Sequence, residues 1–236
     1  MEHAVSHKFD LSANFLKYLA IAAMFLDHFA SVFIPSDQPI WFVLRLFGRL
    51  CAPIMCYFVA EGEFFTSNRK KYLQRLVLFA LLAHFPYVIY FNLPLFGATS
   101  VLWGLALGLM ALIFVKHSPA NLGIKIAFVG LCCLLAIWAD WNFVSVLWIL
   151  GFGLFRGRFK KQMLSFLLIG LVFHLYPLLR DYGTADLYQI GIVLAIPVLA
   201  LYHGRKGRGG KWMKWGFYLF YPGHLLLLEL LKIMIR

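Results

Sequence analysis

Acidic residues are scarce in this chain, with ten Asp and Glu against 22 Lys and Arg in 236 residues. Charge of either sign is thin, at 14% of residues, while 62% are hydrophobic and the mean hydropathy is +0.80. No length is left over for a separate soluble domain, so residues 1–236 read as a single integral-membrane domain. Strict alternation of apolar and polar residues is also missing, which argues against a transmembrane β-barrel. The four cysteines, Cys51, Cys56, Cys132 and Cys133, lie inside apolar segments without metal-ligand spacing and read as packing residues. Among the membrane-depth histidines His28, His84, His174 and His224 no two fall at i,i+4 on one segment and no carboxylate-rich cluster accompanies them, so no metal is expected. The first apolar segment is too long for a secretory signal and no small-residue cleavage site follows it. It reads as a retained first helix.

What is present is a series of apolar stretches, most of them near twenty residues and long enough to cross a hydrocarbon core of about 30 Å. They fall at 12–34, 41–65, 72–92, 98–116, 122–139, 142–156, 162–179, 186–203 and 213–235. The expected fold is therefore all-α, a polytopic transmembrane bundle of about nine helices, the sixth short enough to be tilted or re-entrant. Most of the basic residues behind the formal charge of +12 sit in alternate short connections. "NRKKYLQR", "KHSPANLGIK", "RGRFKK" and "HGRKGRGGKWMK" carry the basic residues. "PSDQP", "NLPLFGATS" and "ADWN" carry no Lys or Arg, and "RDYGTAD" carries one. That alternation is a topology signal rather than a nucleic-acid footprint; it makes the bilayer the partner and places the N-terminus in the cytoplasm. No internal repeat of the kind found in many secondary transporters is visible.

The polar residues inside these stretches are costly at membrane depth and call for partners. In "LKYLAIAAMFLDH", residues 16–28, Lys17 lies roughly 8 Å and His28 roughly 24 Å along the first helix. Eleven residues are almost three turns, so both project from one face, with Asn14 and Met24 close to the same stripe. Asp27 points about 100° away from its neighbour and needs a partner on another helix. Arg45 and Arg49, one turn apart on the second helix, are at a similar depth, and an Asp27–Arg49 pair would remove two unpaired charges. Structural and catalytic roles for Asp27 stay open. His84, His174 and His224 fall at comparable depth, and histidine suits general acid–base work near neutrality. Glu61 and Glu63 read as helix-end charges that pair with the basic connection following them.

"LKYLAIAAMFLDH", "LRLFGRLCAPIMCYFVAEG", "NRKKYLQRL" and "FYLFYPGHLLLL", in that order from first helix to last, resemble the TraX family. The founding member of that family is required for N-terminal acetylation of a conjugative pilin. The family is in turn similar to a wider group of membrane acyltransferases, which includes enzymes of surface polysaccharides and a lysosomal heparan N-acetyltransferase. A basic residue, ten intervening residues and a histidine mark that group, and Lys17 and His28 match them here. The resemblance implies a bacterial inner (cytoplasmic) membrane, His28 as catalytic histidine and Lys17 as basic partner on the acyl-CoA path. Arg49, Pro53, Arg75, Tyr221 and His224 occupy the other motif positions. "NLPLFGATS" departs from the family pattern at an outward-facing turn, which bears on the acceptor rather than the donor.

Residues and resemblance together lead to an acyl-CoA-dependent acetyltransferase with acetyl-CoA as cosubstrate and no tightly bound cofactor. Basic inner loops with Lys17, Asn14, Arg49 and Arg75 would hold the donor, and the Lys17–His28 rise of roughly 16 Å would suit its pantetheine arm. His28, Asp27, Tyr221 and His224 form the candidate catalytic set. His28 would serve as general base or as a transient acetyl carrier. Tyr221, Arg49 and Asn14 are candidate oxyanion donors. The acceptor would be an amine or hydroxyl on the outer side, such as a pilin N-terminus or a cell-surface glycan. A transporter or flippase using the polar track, and a non-catalytic assembly factor for a surface appendage, are the competing readings. The topology makes a direct prediction: cysteine accessibility at Ser67, Lys160 and Arg208 should report the cytoplasm, and at Ser36 and Asn92 the outside. A scrambled pattern would overturn the depth assignments.

Overall fold

The computed structural model describes residues 10–208 and 210–235, and within them every regular element is a helix. Five helices are long and apolar enough to cross a membrane: α1 (Ala13–Phe33), α2 (Pro39–Phe65), α3 (Arg69–Tyr90), α7 (Phe159–Asp181) and the last, α9 (Lys211–Ile235). Four shorter apolar helices complete the set: α4 (Val101–His117), α5 (Leu122–Leu135), α6 (Asn142–Leu154) and α8 (Asp186–Ala200). The nine hydrophobic stretches of the sequence thus correspond one to one with helical segments among the described residues. The chain is a multi-pass membrane protein.

Its surface inverts the pattern of a soluble bundle. On α3, Leu78, Leu81, Leu82, Phe85 and Ile89 point outward, while Leu76, Phe79, Ala80, Ala83, Tyr87 and Tyr90 are buried. Both faces are apolar, so burial here is a matter of fit, and close approach comes from small residues. Gly104 and Gly108 of α4 form such a site. A Cβ at Gly104 would sit 2.3 Å from Ser145 Oγ, and one at Gly108 2.5 Å from Ile149 Cδ1, both on α6. This tight α4–α6 pair packs against the second half of α2, with α1 on the other side of α2. α3 and α9 flank α1 and α4, whereas α7 and α8 close the other side and α5 lies at the periphery, burying only Cys132 along its length. Among the described residues all four cysteines are free thiols.

Two interruptions position the polar residues. α2 breaks between Gly48 and Cys51 because Pro53 has no N–H to give to the carbonyl of Arg49. Leu50 N–H bonds instead to Phe47 O, a tightened turn that separates the Arg45–Arg49 segment from the core segment Cys51–Phe65. In α7, residues Leu171–Leu175 form a π-helical turn that ends two residues before Pro177, and this turn carries His174. At the end of the bundle where α1 starts, loop carbonyls cap its free amide groups: Ala13 N–H donates to Arg205 O and Asn14 N–H to Lys206 O.

Gly48 allows the closest approach between α1 and α2. A Cβ there would lie 2.4 Å from the Cβ of Asp27, a contact no side chain tolerates. Gly48→Ala should therefore lower unfolding stability in detergent by about 1–3 kcal/mol, and should do so with Asp27 itself unchanged.

Candidate active site

The site is built around Asp27, which α1 buries against α2 with 5% of its surface exposed. Arg45 Nη1 stands 2.9 Å from Asp27 Oδ1, at an angle too oblique for a hydrogen bond, and Arg49 Nη2 donates to Asp27 Oδ2. The two arginines reach one carboxylate because four residues is about one helical turn. Their outer atoms are committed as well: Arg45 Nη2 donates to Tyr188 Oη at 3.0 Å and Arg49 Nη1 to Gln189 Oε1 at 3.3 Å, both on α8. Aromatic rings cover the guanidinium planes, Tyr188 at 4.7 Å from Arg45 and Trp141 at 5.2 Å from Arg49. The expected Asp27–Arg49 pair is present, with Arg45 as a second cation.

His28, the next residue, turns toward α9. Its Nδ1 lies 2.8 Å from His224 Nε2, and His224 Nδ1 lies 2.9 Å from Phe220 O. The carbonyl accepts only, so His224 carries its proton on Nδ1 and offers a lone pair at Nε2. His28 must then donate from Nδ1, which leaves a lone pair on His28 Nε2. That nitrogen has no hydrogen-bond partner among the described residues. The backbone of His28 is pinned in turn, since its carbonyl accepts from Tyr90 Oη at 2.7 Å and from Ser31 Oγ at 2.8 Å. Tyr221, one turn before His224, presents its ring edge to His28 at a centroid distance of 6.4 Å. Its hydroxyl is buried beside Ser100 without a well-formed hydrogen bond among the described residues.

Two cavities meet here. A narrow one of about 50 Å³ lies among α1, α2, α4 and α9, past Ile21, Met24, Phe217 and Tyr221. A wider one of about 510 Å³ opens between α3, α7 and α8, past Tyr87, Phe91, Phe173, His174 and Gln189. Asp27, His28, Arg49, Asp140 and Trp141 line both. His174 belongs to the wall of the larger cavity, where its Nε2 is 3.2 Å from Gln189 Oε1. His84 stands apart, bonded to Leu95 O at 2.7 Å. Asp140 was not singled out by the sequence reading. It sits in the turn between α5 and α6, fixed by backbone bonds to Thr99, and its neighbours in sequence gave no helical stripe to place it.

At the end where α1 begins, Lys17 Nζ lies over the rings of Phe58 at 5.3 Å and Phe217 at 5.9 Å, with no carboxylate against it among the described residues. Lys206 adds positive charge beside it. Arg75 of α3 leans on Tyr72 and Tyr218, its Nε buried and unpaired. Asn14 spends its amide on the carbonyls of Gly207 and Arg208, at 3.3 and 3.0 Å, so it ties the basic loop to α1. Of the four residues assigned to the donor, Lys17, Asn14 and Arg75 lie at this end, and Arg49 lies with Asp27. Pro53 acts through the break it makes in α2. Glu63 and Glu61 are taken up by cations: Glu63 by Arg69 at 2.8 Å, Lys116 at 2.5 Å and His117 at 2.7 Å, and Glu61 by Arg156 at 2.7 Å. Among the described residues no group of three or more metal-ligating side chains converges.

Comparison with known proteins adds two findings. Residues 12–232 match the protein-family model described as "TraX protein". The chain is similar to a protein of Dichelobacter nodosus named "Probable fimbrial assembly protein FimC, serogroup H1", with 34% identity over 244 residues, covering 95% of this chain and 97% of the relative. No solved structure matches. For the buried ion cluster the expected cost of disruption is large. Asp27→Ala leaves two guanidiniums uncompensated and should destabilise the protein by about 3–5 kcal/mol, read from unfolding in detergent, whereas replacing Asp27, Arg45 and Arg49 together by apolar residues should cost less.

Proposed function

This chain belongs to the TraX family, and from that premise we propose that it is an integral-membrane acetyltransferase that carries acetyl from cytoplasmic acetyl-CoA to an acceptor on the outer side. The observation that carries the proposal is the lone pair on His28 Nε2, held at the junction of a narrow and a wide cavity. A neutral imidazole with its other nitrogen engaged is the form a general base requires.

The charge distribution supports a direction. The end of the bundle where α1 starts carries Lys17, Lys206 and Arg75 without matching acids, which suits the phosphates of coenzyme A. The wall from Phe217 through Tyr221 to His224 runs beside the stripe from Lys17 to His28, so donor and base lie along one α1–α9 seam. At the far end the wider cavity receives the acceptor, a pilin amine or a surface glycan hydroxyl. His28 Nε2 takes the acceptor's proton as the new bond to the acetyl carbon forms, and returns it to the departing thiolate. The Tyr221 hydroxyl is the donor best placed to stabilise the tetrahedral oxyanion, its residue lining the narrow cavity beside His28 and its oxygen having hydrogen-bonding capacity to spare. Asp27 positions His28 by anchoring α1 to α2.

The name of the Dichelobacter relative, a probable fimbrial assembly protein, favours a pilus component as acceptor. The same name also favours a second reading, a non-catalytic assembly factor. Coenzyme A separates the two. Purified protein should bind it with an affinity that falls as salt rises, and Lys17→Ala should weaken that binding. His28→Ala should bind it normally yet lose transfer by about 10²–10⁴-fold. No binding by the wild type, or full transfer by His28→Ala, would overturn the enzymatic reading.

A further inference from the structure

The wide cavity contains a second acceptor group that acetyl transfer from a histidine base does not by itself require. Asp140 lines both cavities and is exposed. Its carboxylate makes no hydrogen bond or ion pair among the described residues, whereas Asp27 holds two arginines. Arg45 and Arg49 line the same cavity but form no ion pair with Asp140, their terminal nitrogens being turned to Asp27, Tyr188 and Gln189. Two acceptors in this wall are without a partner among the described residues, the Asp140 oxygens and His28 Nε2.

A ligand group that satisfies both must donate at least twice. A hydroxyl has one proton and satisfies His28 or Asp140 but not both, while a primary ammonium has three. An ammonium bound to Asp140 also draws on a charge-assisted hydrogen bond of the stronger kind. We propose that Asp140 is the residue that docks the acceptor and selects for it, holding a primary ammonium against the lone pair of His28. The proposal rests on the acetyl-transfer reading for its chemistry, and it narrows the acceptor from amine or hydroxyl to amine.

The proton count agrees with two acceptors. An ammonium nitrogen loses two protons on becoming an amide, whereas a hydroxyl loses one on becoming an ester. Asp140 takes the first proton, leaving a neutral amine. That amine attacks the thioester carbon, forming the C–N bond, and His28 Nε2 takes the second proton. Collapse of the tetrahedral species breaks the C–S bond, and His28 delivers its proton to the sulfur to give free coenzyme A thiol. Asp140 releases its proton to water in the wide cavity, and the third proton stays on the amide.

The test uses the full chain in lipid nanodiscs with two probes of equal length, octylammonium and 1-octanol. Thermal unfolding reports binding, and labelled acetyl-CoA reports transfer. Octylammonium should stabilise the wild type, and Asp140→Asn should weaken that binding about 10–100-fold, the range expected for a lost charged hydrogen bond, while leaving 1-octanol and coenzyme A binding unchanged. Asp140→Glu should recover part of the loss. Transfer to octylamine should fall in Asp140→Asn through a raised KM, with any transfer to octanol unaffected. Unchanged coenzyme A affinity shows that the variant is folded; if Asp140→Asn fails that check, Asp140→Ser takes its place. Octylamine acetylation that is indifferent to both substitutions overturns this inference and leaves the acetyltransferase reading intact. Octylammonium binding that depends on Asp140, without coenzyme A binding or transfer, supports the docking site and overturns the acetyltransferase reading.

Discussion

The constraint on which the rest of the molecule depends is that Asp27 lies inside a membrane bundle and must not lie there alone. Two guanidiniums answer one carboxylate, aromatic rings cover them, and α8 supplies polar partners for what remains. Each requirement fixes an element. Gly48 lets α2 reach α1, and the break at Pro53 turns the arginine-bearing segment out of line with the core helix that follows. Because His28 adjoins Asp27 in sequence, the cluster that immobilises α1 also sets the height and rotation of the imidazole. A single cost, the desolvation of a carboxylate, thereby determines where the neighbouring imidazole stands.

Much of this was legible in the residues. Continuous apolar runs and alternate basic connections correspond to the helical segments found, because lipid demands internally bonded backbone and so leaves only helices for such runs. The facing of Lys17 and His28 followed from the 3.6-residue repeat alone, and the partnership of Asp27 with Arg49 from the expense of an isolated charge. Resemblance put Tyr221 and His224 on the same list as His28, and α9 does bring all three together.

What was not legible has a common cause. Arg49 was legible as the partner of Asp27, but that the same carboxylate also takes Arg45 was not. Asn14 looks like a ligand in sequence, but a loop nearly two hundred residues away occupies its amide. Asp140 lies in a turn, where no periodicity relates a side chain to a face. Only the pairing of that turn with Thr99, across two loops, brings the carboxylate into the cavity. Helical residues were placed by their own repeat, while loop residues awaited tertiary structure.

The orientation of the histidine pair bears on a hazard peculiar to titratable groups buried within a membrane. A line of titratable groups through the bilayer short-circuits the proton gradient if each can pass a proton to the next. Here the chain from His28 through His224 terminates on the carbonyl of Phe220, which accepts a hydrogen bond but not the proton itself. Positive charge gained at His28 can spread onto the second imidazole and no farther. A proton picked up in the cavity must leave by the cavity, so the two histidines form a capacitor rather than a wire.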